Sequence, residues 1–173
     1  MNKWAFIIVL AFASVALYTL GRKKLRISEK GIGLIKDVEG FSAVPYQDVA
    51  GIWTIGYGHK ILETDPYYPY GPVREISREH AEMLLIADLW NAENCISRNV
   101  KVPVTANQYD ALVSFIYNIG CGAFSSSTML KKINANQIED AGEEFKRWIY
   151  ANKKEVAGLV TRRARERVLF LTA

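Results

Sequence analysis

The 173-residue chain has only two cysteines and two histidines, and it contains no low-complexity tract. No Cys/His cluster has ligand spacing, and His59 and His80 are too few and too far apart to make one, so no metal and no cofactor is expected. Cys95 and Cys121 allow one bridge at most, and an even count becomes informative only in an exported domain. Surplus charge is missing as well. The net charge of +4 is accounted for by Lys3, Arg22, Lys23 and Lys24, because residues 1–24 contain no acid. The remainder is neutral, which removes the electrostatic reason to expect a nucleic-acid partner. That neutrality is uneven: residues 25–145 carry 10 basic and 16 acidic side chains, residues 146–173 carry 8 and 2. A basic C-terminal face for an anionic polymer and a merely solvated helix face are both open on this count.

Half the residues are apolar, enough for one domain with a real core plus an appendage. The appendage is residues 1–24, and the domain is residues 25–173. Residues 4–20, WAFIIVLAFASVALYTL, are uncharged, preceded by Lys3 and followed by Gly21 and Arg22-Lys23-Lys24. Seventeen residues at about 1.5 Å each reach roughly 25 Å, short of the roughly 30 Å hydrocarbon core. Four alanines, Ser14 and Thr19 dilute the run further, so its hold on lipid is weak for an anchor. Ala11-Phe12-Ala13 has a small-x-small cleavage pattern, although cutting there would leave much of the apolar run in place. Orientation is a conflict: Arg22, Lys23, Lys24 and Arg26 outweigh Lys3, which favours keeping the C-terminal side in the cytoplasm.

The chemistry is concentrated between Lys36 and His59. Ser28 caps a helix running to about Val38 with an apolar stripe at Ile32, Ile35 and Val38, and Gly40 supplies a left-handed C-cap. Glu39 is left in the last turn, where the negative end of the helix dipole disfavours an ionised carboxylate, as a general acid requires. After it QDVAG reads as a turn carrying Asp48, and IWTIGYGHKIL reads as one strand. Alternation places Ile52, Thr54, Gly56 and Gly58 on a face bare enough for a ligand to approach the Thr54 hydroxyl, and Trp53, Ile55, Tyr57 and His59 on the packed one. His59 is accordingly read as a hydrogen-bonded structural histidine. Asp37, Glu63 and Asp65 read as surface charges.

Downstream, TDPYYPYGPV (residues 64–73) is a loop whose tyrosines suit either a sugar-binding rim or packing against their own domain. Ser77 caps a long helix to about Cys95, with Met83, Leu84, Ala87, Leu89 and Trp90 among its apolar positions. Thr105 with Gln108 forms a capping box opening a helix through Asn118, whose Leu112, Val113, Phe115 and Ile116 are core candidates. Asn136 with Glu139 suggests a second box and a helix to about Tyr150. The last helix, Gly158 to Leu171, carries Arg162, Arg163, Arg165 and Arg167.

The spacing of Glu39, Asp48 and Thr54, followed by GYGH, resembles the phage-type lysozymes, and NQYDALVSFIYNIGCGAFSSSTMLKKIN and GLVTRRARERVLFL resemble their lambdoid-phage endolysins, including the signal-anchor-release kind. The likeness runs over about residues 28–171. It implies an α+β, lysozyme-like two-lobed fold, with a small β-hairpin lobe, a larger helical lobe and the cleft between them, preceded by an N-terminal transmembrane signal-anchor helix. It also implies peptidoglycan as substrate and hydrolysis of the β-1,4 bond between N-acetylmuramic acid and N-acetylglucosamine. By motif, Glu39 becomes the general acid, Asp48 the second carboxylate and Thr54 the hydroxyl that places water. Asn118 aligns with a substrate-contacting amide, although helix capping explains it equally well. Either Arg162 or Arg163 would support Glu39, and Cys95 and Cys121 would form a disulfide. Inversion is implied too, which needs about 6.5–9.5 Å between the carboxyls.

On this reading the partners are peptidoglycan, the inner membrane through residues 4–20 and, functionally, a holin or pinholin; the released enzyme is a monomer. The expected location is the host inner membrane with the catalytic domain on the periplasmic side, followed by release to the periplasm. The alternatives are a membrane-tethered peptidoglycan-binding scaffold without hydrolysis, and a lytic transglycosylase, against which Asp48 and Thr54 count.

Overall fold

A computed structural model describes residues 25–48, 51–66 and 75–172. The apolar run 4–20 with its basic flank, and Tyr67, Tyr68 and Tyr70 of the tyrosine-rich loop, lie outside the described residues. Among the described residues no helix is long and apolar enough to cross a membrane.

The chain opens with helix α1 (Glu29–Glu39), capped by Ser28, whose side chain accepts from the Gly31 amide. The start of α1 is clamped to the rest of the domain. Ser28 donates from both its amide and its hydroxyl to buried Asp110, and the Ile27 amide and Arg26 both donate to buried Glu93. Gly31 permits this approach, because a Cβ there would lie 2.7 Å from the Asp110 carboxyl carbon. Ile32, Leu34 and Ile35 turn into the core.

A small antiparallel sheet follows in the order β1 (Ser42–Gln47), β2 (Trp53–Gly56), β3 (His59–Lys60). Tyr46 pairs with Thr54 and Gln47 with Trp53, while the register slips between Ser42 and Tyr46. Pro45 sits at that slip, on an edge strand where a missing amide donor is tolerated. The single strand expected over 52–62 is in fact two. Gly56 and Gly58 have φ of 66° and 91°, so Tyr57–Gly58 reverses the chain and the period-two alternation stops at Gly56.

The helical lobe comprises α2 (Arg78–Asn99), α3 (Ala106–Ile119), α4 (Cys121–Ser125), α5 (Thr128–Asn134), α6 (Ile138–Glu143), a 3₁₀ turn (Glu144–Arg147), a two-stranded hairpin β4–β5 (Tyr150–Ala151 and Lys154–Glu155), and α7 (Ala157–Leu171). α3 is central: Ala111 through Ile116 are all buried, and the Phe115 ring meets Phe124, Phe145 and Trp148 edge-on with centroids 5.0–6.5 Å apart. Its Thr105–Gln108 capping box makes both reciprocal bonds.

α2 buries Ala81, Leu85, Leu89, Ala92, Cys95 and Ile96, whereas Met83 (63% exposed), Ala87 and Trp90 (57% exposed) face outward. Apolar residues occur all round this helix, so its period alone does not orient it. Asn136 is not a cap but a left-handed residue with φ of 58°, and α6 begins at Ile138 and ends at Glu143. The β4–β5 hairpin then replaces the expected helix end, turning on Asn152 and Lys153 with φ of 50° and 62°. That is a two-residue turn without the Asn-Gly signature that marks such turns in a sequence.

The disulfide Cys95–Cys121 fastens α2 to the start of α4 across 26 residues. By loop closure it stabilises the domain by about 3 kcal/mol. Replacing both cysteines by serine should lower the melting temperature by roughly 6–12 °C, measured by circular dichroism under non-reducing conditions.

Candidate active site

Glu39 occupies the last residue of α1, and Gly40, with φ of 73°, takes the chain out of the helix directly into β1. The Glu39 carboxylate lies 2.5 Å from Arg162 of α7, which is almost wholly buried. The arginine uses its whole fork, with Nη1 on Glu39, Nη2 on the Ser114 carbonyl at 2.9 Å and Nε on Glu166 at 3.0 Å. Arg163 points elsewhere. It pairs with Glu166, donates to the Asn118 side-chain oxygen and lies 4.8 Å from the centre of the Phe115 ring.

Asp48 and Thr54 are held by one residue between them. The Asp48 carboxylate accepts from the Ile52 amide at 2.9 Å, and its own amide donates to the Ile52 carbonyl. That same carbonyl takes the Thr54 hydroxyl proton at 3.0 Å. Thr54 is 4% exposed yet lines the cleft, so the bare face foreseen around it is a wall. Because the hydroxyl proton is committed to Ile52, its oxygen acts toward a ligand as an acceptor.

Glu39, Asp48, Thr54 and Asn118 all line one cleft of about 550 Å³ between the sheet and the helical lobe. Cys121 lines it too, at the disulfide end. A second hollow of about 320 Å³, bounded by Glu39, Tyr46 and Gly56, continues it past the end of α1. An apolar groove of about 560 Å³ between α1 and α7 has Lys30, Asp37 and Arg165 among its walls but no paired carboxylates or hydroxyl nucleophile facing one another. Among the described residues no three His, Cys, Asp or Glu side chains come close enough to hold a metal ion.

Several cleft residues have no role assigned from the sequence. Gly58 faces Glu39 directly, since a Cβ on it would lie 3.6 Å from a carboxylate oxygen and 3.5 Å from the Tyr117 hydroxyl. Tyr117 donates to the Tyr57 carbonyl at 3.1 Å, joining the helical lobe to the hairpin. Burial pushes its phenol up, and burial with the nearby charges of Glu39 and Asp48 pushes up that of Tyr46. Asp88 and Asn91 enter from α2. Only the GYG turn could have exposed this group beforehand, by marking a close backbone approach.

The matching phage lysozyme family model spans residues 36–166, which takes in the hairpin, the cleft and the arginine pair. The chain belongs to the phage lysozyme family. It is 43% identical over 150 residues to the endolysin of Bacillus phage B103, a match covering 86% of this chain and 55% of that one, so it spans about half that relative's length. It is 37% identical over 134 residues to the SAR-endolysin of Enterobacteria phage P21, covering 78% of each. A crystal structure of a phage P22 lysozyme mutant superposes with a TM-score of 0.77 at 39% identity, covering 86% of this chain and 99% of that one. The lysozyme-like α+β fold is thereby established.

The arginine-rich end of this family member is not a free basic face. Arg165 pairs with Asp37 and Arg167 with Glu143, while Arg162 and Arg163 are spent inside. On the opposite wall, His59 Nδ1 lies 2.8 Å from Asp88, joining β3 to α2, and that bond pushes the imidazole above its usual value. A histidine raised on folding stabilises most below about pH 6.5, its unfolded value, and the gain disappears as pH rises through the folded value. Stability should therefore fall by roughly 1 kcal/mol from pH 5.5 to above the folded value. His59→Asn should abolish that slope in urea titrations taken across the pH range.

Proposed function

We propose that the chain is a muramidase that hydrolyses the β-1,4 bond between N-acetylmuramic acid and N-acetylglucosamine in peptidoglycan, for lysis of a bacterial host. The observation carrying this reading is the cleft in which Glu39 and Asp48 sit on different elements, with Thr54 beside Asp48 and Arg162 behind Glu39. Glycoside hydrolysis by inversion needs one carboxyl to protonate the leaving oxygen and another to activate water on the opposite face of the sugar. Glu39 is the proton donor, held in place by Arg162. Asp48 takes the water's proton as the bond to the anomeric carbon forms and the glycosidic bond breaks. Thr54, with its own proton on Ile52, accepts from that water and turns a lone pair toward the sugar. Asn118, held by Arg163, offers its amide hydrogens to a substrate carbonyl or hydroxyl.

Residues 25–173 form the catalytic domain, and residues 1–24 a signal-anchor that tethers the enzyme to the inner membrane, facing the periplasm, and lets it go. Three things support this: the weak apolar run 4–20, the disulfide, which belongs in an oxidising compartment, and the relative named a SAR-endolysin. The substrate lies outside the inner membrane, which outweighs the orientation favoured by Arg22 to Lys24. A holin or pinholin is the enzyme's functional partner on this reading. A scaffold that binds wall without cutting it has no use for the carboxylate pair.

The full chain, purified in mild detergent, should clear a suspension of permeabilised Gram-negative cells. Glu39→Gln should reduce the rate per folded molecule by at least about a hundredfold. Equal clearing by both proteins would remove Glu39 from the mechanism.

A further inference from the structure

The carboxylate of Glu166 is wholly buried, yet it faces the cleft only through other residues. Oε1 accepts from the Ser114 hydroxyl at 2.6 Å and from Arg162 Nε at 3.0 Å, and Oε2 accepts from Arg163 Nη1 at 2.5 Å. Each arginine then reaches a different cleft residue with its far end: Arg162 reaches Glu39, and Arg163 reaches Asn118. Both guanidiniums are planar and rigid, so holding the near edge fixes the direction of the far one. Glu166 also balances charge. Without it Glu39 alone would stand against two buried cations, and among the described residues Arg163 pairs with no other acid and its Nε has no hydrogen-bond partner.

Resting on the muramidase reading above, we propose that Glu166 is a positioning residue, which aims Arg162 at Glu39 and Arg163 at Asn118 and thereby sets the proton donor and the substrate amide together. Burial pushes the Glu166 carboxyl up, and the two arginines and the Ser114 hydroxyl pull against that rise. Its ionised form is the one that takes hydrogen bonds from both guanidiniums and from Ser114.

The test compares the full chain, Glu166→Gln and Ser114→Ala in wall-clearing assays normalised to the folded fraction by near-ultraviolet circular dichroism. Glu166→Gln keeps the shape and loses the charge. It should lower the saturating rate by about tenfold or more and also raise the wall concentration giving half that rate, because Asn118 loses its aim as well. Ser114→Ala leaves every charge in place and removes one donor from Oε1, and it should lower the same rate by about threefold. A purely structural role predicts the parent rate per folded molecule in both variants, and that result overturns the proposal. Should Glu166→Gln not fold, Ser114→Ala decides alone by the same criterion. The Arg162 Nε–H resonance supplies a readout independent of lysis: it should exchange with solvent slowly in the parent and at least about tenfold faster in Glu166→Gln, and equal exchange counts against the proposal. A parent chain that clears no wall but shows this difference would sink the muramidase reading and leave the positioning role standing.

Discussion

The contact on which the rest depends is the ion pair between Arg162 and Glu39. It joins the first helix of the domain to the last, 123 residues apart, at the point where the two lobes meet. Everything on the helical side of the cleft is arranged to make that buried cation tolerable. α3 supplies the Ser114 carbonyl and hydroxyl, α7 supplies Glu166, and the Phe115 ring shields the neighbouring Arg163. Burial draws the Arg163 guanidinium down to about 10, a sign of how little water reaches this cluster. Removing one member of such a group typically costs 3–5 kcal/mol because an uncompensated charge is left inside. The arrangement is therefore expensive as structure, and its return is a fixed carboxylate at the mouth of a cleft.

The opposite wall is built on different physics. Asp48 and Thr54 are set by hydrogen bonds to the backbone of Ile52 in a short turn, with no buried charge. The two carboxyls thus sit in contrasting settings, Glu39 among packed helices and Asp48 in a partly exposed turn, which is the division of labour that acid–base chemistry on a glycosidic bond requires. The hairpin bearing Asp48 is joined to the helical lobe by side-chain contacts, Tyr117 to the Tyr57 carbonyl and His59 to Asp88, together with the backbone bond from Ile76 to Ala43. Cleft width accordingly rests on a few polar links and on the packing of Ile55 and Tyr57, more than on a continuous sheet.

Much of this was legible in the residues. Caps announce themselves chemically: Ser28, Ser77 and Thr105 each begin a helix and accept from the expected amide. Gly40 ends α1 and leaves Glu39 at its tip. The motif also named both arginines without separating them, because adjacent positions on a helix differ by about 100° in direction and only packing tells which one turns to the cleft. What the sequence concealed depends on tertiary context. The outward face of α2 was not legible, because Met83, Ile86 and Trp90 are as apolar as the residues it buries. The β4–β5 hairpin was missed because Asn152-Lys153 is an unusual left-handed pair. Glu166 carried no signal of its own, since an acid between arginines on a helix reads as one more surface ion pair until its burial is known.

The central claim is that this cleft cuts glycan by adding water. The most direct measurement is mass spectrometry of the fragments released when the full chain digests purified Gram-negative sacculi. Hydrolysis predicts muropeptides ending in a reducing N-acetylmuramic acid, each carrying one added water. Products ending in a 1,6-anhydro sugar, or sacculi bound but left whole, would contradict it.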